Sequence, residues 1–198
     1  MSATIYLEGG GDSRELHIRC REGFRKLLEN CGFTGRLPRL AACGGRNAVF
    51  DDFQTGHAKG DSDYVGMLID SEEPLADLEA AWQHLKRHDG WNKPDGASDE
   101  QVLFMTTCME TWIVTDRATL ADHYGSNLQE SALPPLNDLE RRSRQGVQQG
   151  LAHATRRCAN AYAKGKRSFA ALGKLSRSAL EKHLPSFRRA VRILEEKL

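Results

Sequence analysis

Tyr64-Val65-Gly66-Met67-Leu68-Ile69 runs without a break into Asp70-Ser71-Glu72 and then Pro74. A short, almost wholly apolar run that stops at acids and a proline reads as a buried strand rather than a helix. Downstream, a helix is expected from Leu75 to His88. Gly90 to Ser98, rich in Gly, Pro, Asp and Asn, then reads as a loop. Gln101 to Thr106 (QVLFMT) is a further strand, and Thr111 to Tyr124 has helical spacing through Trp112, Ile113, Leu120 and Tyr124. Upstream, Ala3 to Glu8 (ATIYLE) is a strand that ends in Gly9-Gly10-Gly11. A helix follows from Asp12 to Asn30, with Leu16, Cys20, Phe24, Leu27 and Leu28 on one face and Asp12 or Ser13 as N-cap. Leu37 to Cys43 is another strand, closed by Gly44-Gly45, and Ala48 to Thr55 a short helix. Strand and helix alternate, which predicts an α/β fold with a mostly parallel central sheet and flanking helices.

Beyond Pro134-Pro135 the pattern becomes helical, over about Leu136 to Ala161 and Leu175 to Lys197. The expected organisation is an α/β domain over 1–135 and a basic helical C-terminal segment, 136–198, packed on that domain or extending it. Charge divides in a similar way. Residues 1–138 hold 13 Lys and Arg against 23 Asp and Glu, whereas 139–198 hold 15 against 4. An acidic body beside a basic segment suits an enzyme that holds cations and acts on a polyanion. Solvated basic helix faces would give the same composition.

The 198 residues are 39% hydrophobic and 28% charged, ordinary values for a globular chain. No apolar run approaches the roughly 18 residues of a membrane span, so no membrane association is expected. The opening MSATIYLEGGG lacks the basic and apolar regions of a signal peptide. Five scattered cysteines without a CxxC argue against a disulfide framework and a zinc site. The expected location is cytoplasmic.

In open α/β sheets, functional groups gather beyond the carboxyl ends of the strands. Here those ends carry acids. Glu8 closes the first strand, with Asp12 after the glycines. Asp70 closes the third, with Glu72 two residues on, and Glu110 follows the fourth. No basic residue neighbours them in sequence, so convergence would leave a repulsion that a hard divalent cation relieves. Taken singly, Asp12 reads better as an N-cap and the others as solvated loop acids; it is the set, at three strand ends, that reads as a site. The glycines lack the Lys-Ser/Thr ending of a P-loop and the spacing of a dinucleotide fingerprint. His84 and His88 stand four residues apart on a helix, a zinc-capable spacing, but no third ligand is apparent.

The run YLEGGGD resembles the opening motif of TOPRIM domains, and LIDSE resembles their Asp-x-Asp, with Glu72 where the family has a second aspartate. More narrowly, YLEGGGDS, GGRNAVFDDF, MLIDSE, METWIVTDRATLADHYG and YAKGKRSFAAL are together similar to a bacterial family near the OLD-type nucleases, often found beside AAA-type ATPases in defence loci. The resemblance implies a TOPRIM-like fold, with Glu8, Asp70 and Glu72 as ligands of Mg²⁺ or Mn²⁺. It adds Asp12 and Glu110 as supporting acids and Lys164, in YAKGK, near the scissile phosphate. Arg46, in GGRN, and Arg156, Arg157, Lys166 and Arg167 in the basic segment are the expected nucleic-acid contacts. Arg46 reads equally as a surface residue paired with an acid.

The expected function is a metal-dependent nuclease that cleaves phosphodiester bonds, in DNA before RNA such as tRNA, within an anti-phage defence or toxin-like system. Two ions could activate water and stabilise the leaving oxygen. The rival expectations are a non-enzymatic TOPRIM-like subunit that docks a partner AAA ATPase and a different phosphoryl-transfer enzyme.

Overall fold

In a computed structural model that describes residues 2–198, four parallel strands form the centre. They are β1 (Ala3–Glu8), β2 (Arg39–Gly44), β3 (Tyr64–Asp70) and β4 (Val102–Met105), in the order β2-β1-β3-β4. Every residue of β3 is buried, because the strand sits inside the sheet with helices on both faces. That double cover explains its unbroken apolar run. Side chains nonetheless alternate. Val65, Met67 and Ile69 face one core with Val102 and Phe104, while Leu68 faces the other with Ile5, Leu7, Leu103 and Met105.

On the first face lie α2 (Arg46–Lys59) and α3 (Ala81–Asp89), through Val49, Phe50, Phe53, Trp82 and Leu85. On the second lie α1 (Arg14–Leu28), α4 (Met109–Thr115), α5 (Arg117–Tyr124), α6 (Arg144–Thr155), α7 (Lys166–Leu172), α8 (Arg177–His183) and α9 (Pro185–Lys197). Ser13 caps α1, its hydroxyl accepting from Leu16 N. The helices after residue 136 share one core with the sheet. Arg189, buried on α9, reaches the outer edge of β4, donating to Val102 O at 2.9 Å, Asp99 O at 2.8 Å and Glu79 Oε2 at 3.0 Å. No described helix is long and apolar enough to cross a membrane.

Four expected helices are shorter or divided. The segment 71–80 is irregular and only Ala81–Asp89 is helical. Pro74 and an Asp77 side chain that accepts from Glu79 N at 2.9 Å favour turns, and Asp99 Oδ1 accepts from Trp82 N at 2.8 Å in the first turn of α3. The run 111–124 breaks at Asp116 (φ −87, ψ 84), whose carboxylate takes Thr119 N at 3.1 Å and Ser176 N at 2.8 Å. Only 144–155 of the run 136–161 is α-helical, capped by Ser143. Pro185 divides α8 from α9, occupying the first turn of the latter, where a missing N–H does no harm. Conversely α7 lies outside any expected helix. It packs on α1 where Gly23 lets the Phe169 carbonyl approach, so closely that a Cβ would stand 2.6 Å from that oxygen.

Candidate metal centre

The sheet register brings the acids together. β1 shifts between Leu7 and Glu8, so that Glu8 pairs with Gly44 and the strand end is re-aimed. Beyond β3 the chain follows the end of β4, with Ser71 N donating to Met105 O at 3.2 Å and Glu72 N to Thr107 O at 2.9 Å. Glu72 adopts φ 66, a left-handed conformation uncommon outside glycine and shared here only with Asp138 among the described non-glycine residues. One carboxylate oxygen each from Glu8, Asp70 and Glu72 then lies within 4.8 Å of the other two. Glu8 Oε2 accepts Asp70 N at 3.0 Å, and Asp70 Oδ1 accepts Met109 N at 2.8 Å, so both carboxylates are held by backbone rather than by mobile groups.

The sequence has no basic residue beside these acids, but the fold supplies two. Arg46, the first residue of α2, donates to the Asp70 carbonyl and stands 3.4 Å from Glu8 Oε2. Its other nitrogens form a bidentate pair with Asp89, at 2.7 and 2.8 Å. The guanidinium also lies 5.2 Å from the Trp91 ring centre, and that ring stacks on Phe50 at 4.3 Å. Arg46, read from the sequence as a phosphate contact or equally as the partner of an acid, sits under the site as an internal counterion of Asp89 and Glu8, and Trp91 packs on Phe50. Arg144, the first residue of α6, pairs with Glu72 and lies 3.6 Å from Asp70 Oδ2. No local signal in the sequence joins residues 72 positions apart, and Arg144 was absent from the expected site.

Burial dominates the electrostatics. It holds the Asp70 carboxyl well above its ordinary range, reinforced by the charges of Glu8 and Glu110 and opposed by Arg144. Burial also raises Glu8, against the pull of Arg46 and the Asp70 N–H. Glu110 differs. Burial would raise it too, but the Tyr162 hydroxyl at 2.6 Å and the Gln148 amide at 3.1 Å outweigh that and keep it low. It is a fully held, ionised acid outside the close trio, on the wall of the same cleft.

That cleft, about 430 Å³, is walled by Glu8, Asp70, Glu110 and Arg144, by the glycine loop 9–11 with Asp12, and by Lys164 and Gly165. Asp12 and Lys164 thus line the same cleft as Glu8 and Asp70. Arg156, Arg157, Lys166 and Arg167 do not line it. Lys166 lies 3.8 Å from Glu15, Arg167 donates to Ala161 O, and Arg156 lies against His153. His84 is buried with Nε2 3.0 Å from Ser71 O, and belongs to no cluster of metal-capable side chains among the described residues.

The glycine wall is tightly built. Gly9 and Gly44 exchange backbone hydrogen bonds at 2.9 and 3.1 Å, and Gly44 has φ +83 with its missing Cβ 2.5 Å from the Gly11 carbonyl oxygen. Gly44→Ala is expected to destabilise by about 1–3 kcal/mol and to push the 9–11 loop into the cleft. Urea unfolding would measure the loss, and an unchanged midpoint would show that the wall gives way freely.

An all-parallel α/β sheet with acids gathered beyond the carboxyl ends of its inner strands defines the class of protein. The chain belongs to the family described as a domain of unknown function (DUF4276), whose model matches residues 7–195. No curated protein and no solved structure matches it.

Proposed function

We propose that the protein is a divalent-metal-dependent phosphodiesterase, a nuclease of TOPRIM-like type, working with Mg²⁺ or Mn²⁺. The observation that carries the reading is the convergence of Glu8, Asp70 and Glu72 at 4.8 Å or less. The donors are all carboxylate oxygens, two of them on buried or half-buried side chains held by backbone N–H groups. Such a set fits a hard cation that keeps some of its waters and takes substrate phosphate oxygens. Bound there, the ion would supply activation of water and stabilisation of the leaving oxygen.

The chain's own groups supply the rest. Glu8, Asp70 and Glu72 would hold the ion, with Asp12 at the open side of the cleft. Glu110, fixed by Tyr162 and Gln148, keeps a permanent negative charge on the wall. Lys164 lines the cleft, where an ammonium can offset charge that builds on the phosphate in the transition state. Glycines 9–11 leave the backbone bare enough for a phosphate to approach. A role beside an AAA-type ATPase in anti-phage defence is part of this proposal, as is docking of nucleic acid by Arg156, Arg157, Lys166 and Arg167.

One observation favours a second reading. Glu8 and Glu72 already have arginine partners, as expected if the site had become a structural feature of a non-catalytic subunit that docks the ATPase. Metal binding and cleavage, measured together, separate the two. With free Mn²⁺ at about a hundredfold over its dissociation constant, a metal-binding protein of this size should melt about 5–10 °C higher. No rise with either Mg²⁺ or Mn²⁺ at millimolar concentration would remove the metal site. A rise without cleavage of single-stranded DNA, duplex DNA or tRNA would favour the docking subunit.

A further inference from the structure

We infer that Arg144 is a displaceable stand-in cation. Its guanidinium occupies the coordination space of Glu72 and Asp70 until a divalent ion takes its place, and is then released into the cleft as an anion-binding group. The inference rests on the metal-site reading above and adds to it a competitor that the chain itself supplies.

Three observations point to Arg144 rather than to a passive ion pair. The first is where the charge sits. Arg144 opens α6, and the N-terminus of a helix carries the positive end of its dipole, the less favourable end for a cation. The ion pairs with Glu72 and Asp70, not the helix, account for its placement.

The second is which oxygens it takes. Arg144 pairs with Glu72 through Oε2 and lies 3.6 Å from Asp70 Oδ2, whereas Asp70 Oδ1 is already engaged by Met109 N. The guanidinium thus meets the one Asp70 oxygen left free of backbone, and it competes with a cation instead of preparing the site for one. Arg46 differs here, since its bidentate partner is Asp89, outside the trio, and it approaches Glu8 only at 3.4 Å.

The third is freedom to move. The Arg144 side chain is 26% exposed and lines the cleft, against 14% for Arg46, which is pinned between Asp89 and Trp91. Release of Arg144 from Glu72 therefore needs only a rotation of its own side chain toward the open cleft, on the side where Lys164 also stands. Two cations would then face any phosphate that enters, and only after the metal has bound.

The test uses Mn²⁺ alone, by calorimetric titration of the full chain in chelator-treated buffer. Arg144→Gln should bind Mn²⁺ roughly tenfold more tightly than the parent, at the low end of the range for coupled binding events. Arg144→Lys, which keeps the charge but not the fork, should fall between them and serves if the glutamine variant fails to fold. Lys164→Gln removes an equal charge from the same cleft without an ion pair to the trio, and should tighten binding less. Equal or weaker Mn²⁺ binding by Arg144→Gln, beside clear binding by the parent, would overturn the inference and make Arg144 an organiser of the site. Equal tightening in Lys164→Gln would also overturn it, in favour of a general field effect. If neither the parent nor any variant binds Mn²⁺, the metal-site reading itself fails.

Discussion

Asp70→Asn is expected to lower Mg²⁺-dependent phosphodiester cleavage by about 10³-fold, the scale of removing one electrostatic contact made in a transition state. In chelator at pH 8 the same variant should nevertheless melt above the parent. Asparagine keeps Oδ1 for Met109 N but cannot carry the charge that burial, Glu8 and Glu110 disfavour. The sign follows from linkage. The folded Asp70 carboxyl has its pKa raised, so between its ordinary range and that raised value the folded chain holds more protons than the unfolded one. Stability contributed by this group is present at low pH and declines as pH rises through the window. The variant has no such decline. Its advantage should therefore grow from pH 5 to pH 8 and vanish near pH 4. Glu8→Gln should behave alike, with a smaller gain because burial raises the Glu8 carboxyl less far than that of Asp70. Thermal melts over a pH series, with cleavage assays after removal of contaminating nucleases, check both halves. An active Asp70→Asn protein would sink the catalytic assignment. A less stable one in chelator would show that Asp70 is chiefly structural.

Legibility in the sequence was uneven for a physical reason. Strands were readable because burial on both faces leaves a mark in consecutive residues, as in Tyr64–Asp70. Glu8, Asp70 and Glu72 were readable because the rule of strand ends turns sequence position into spatial position. Helices were overextended where a local breaker, as at Pro74 and Pro185, or a partner in a distant segment interrupts the ladder. Asp116 is the example, since half of its partners belong to Ser176. The counterions were the least legible part. Arg46 carries no local sign that Asp89 will meet it, and Arg144 none that Glu72 will, because both pairs are made by packing between elements. A local reading of charge saw bare acids; the fold answers each outer member of the trio with a guanidinium.

Arg46→Met should be the most damaging single change beneath the site, at about 3–5 kcal/mol, because it strands a buried charge rather than deleting a weak pair. Asp89 would lose both nitrogens of its bidentate partner and keep only His88 Nδ1 at 3.2 Å, Glu8 would lose its nearby cation, and the Asp70 carbonyl its donor. A methionine of similar length can still cover Trp91, so the loss reports charge more than volume. In the parent, burial would raise the Asp89 carboxyl, but the Arg46 hydrogen bonds and charge prevail and hold it below its ordinary range. A carboxylate so lowered contributes stability above its unfolded pKa and loses it as pH falls through the folded value. The gap between parent and variant should accordingly be widest near pH 7 and narrow towards pH 4, where Asp89 protonates in the variant. Adding Asp89→Asn to Arg46→Met should recover part of the loss, since it removes the stranded charge. Urea unfolding of the four proteins of that cycle at pH 7 and pH 4 measures the coupling. A pH-independent gap, or a double variant no more stable than Arg46→Met alone, would show that Arg46 acts through packing and not as the counterion beneath the acids.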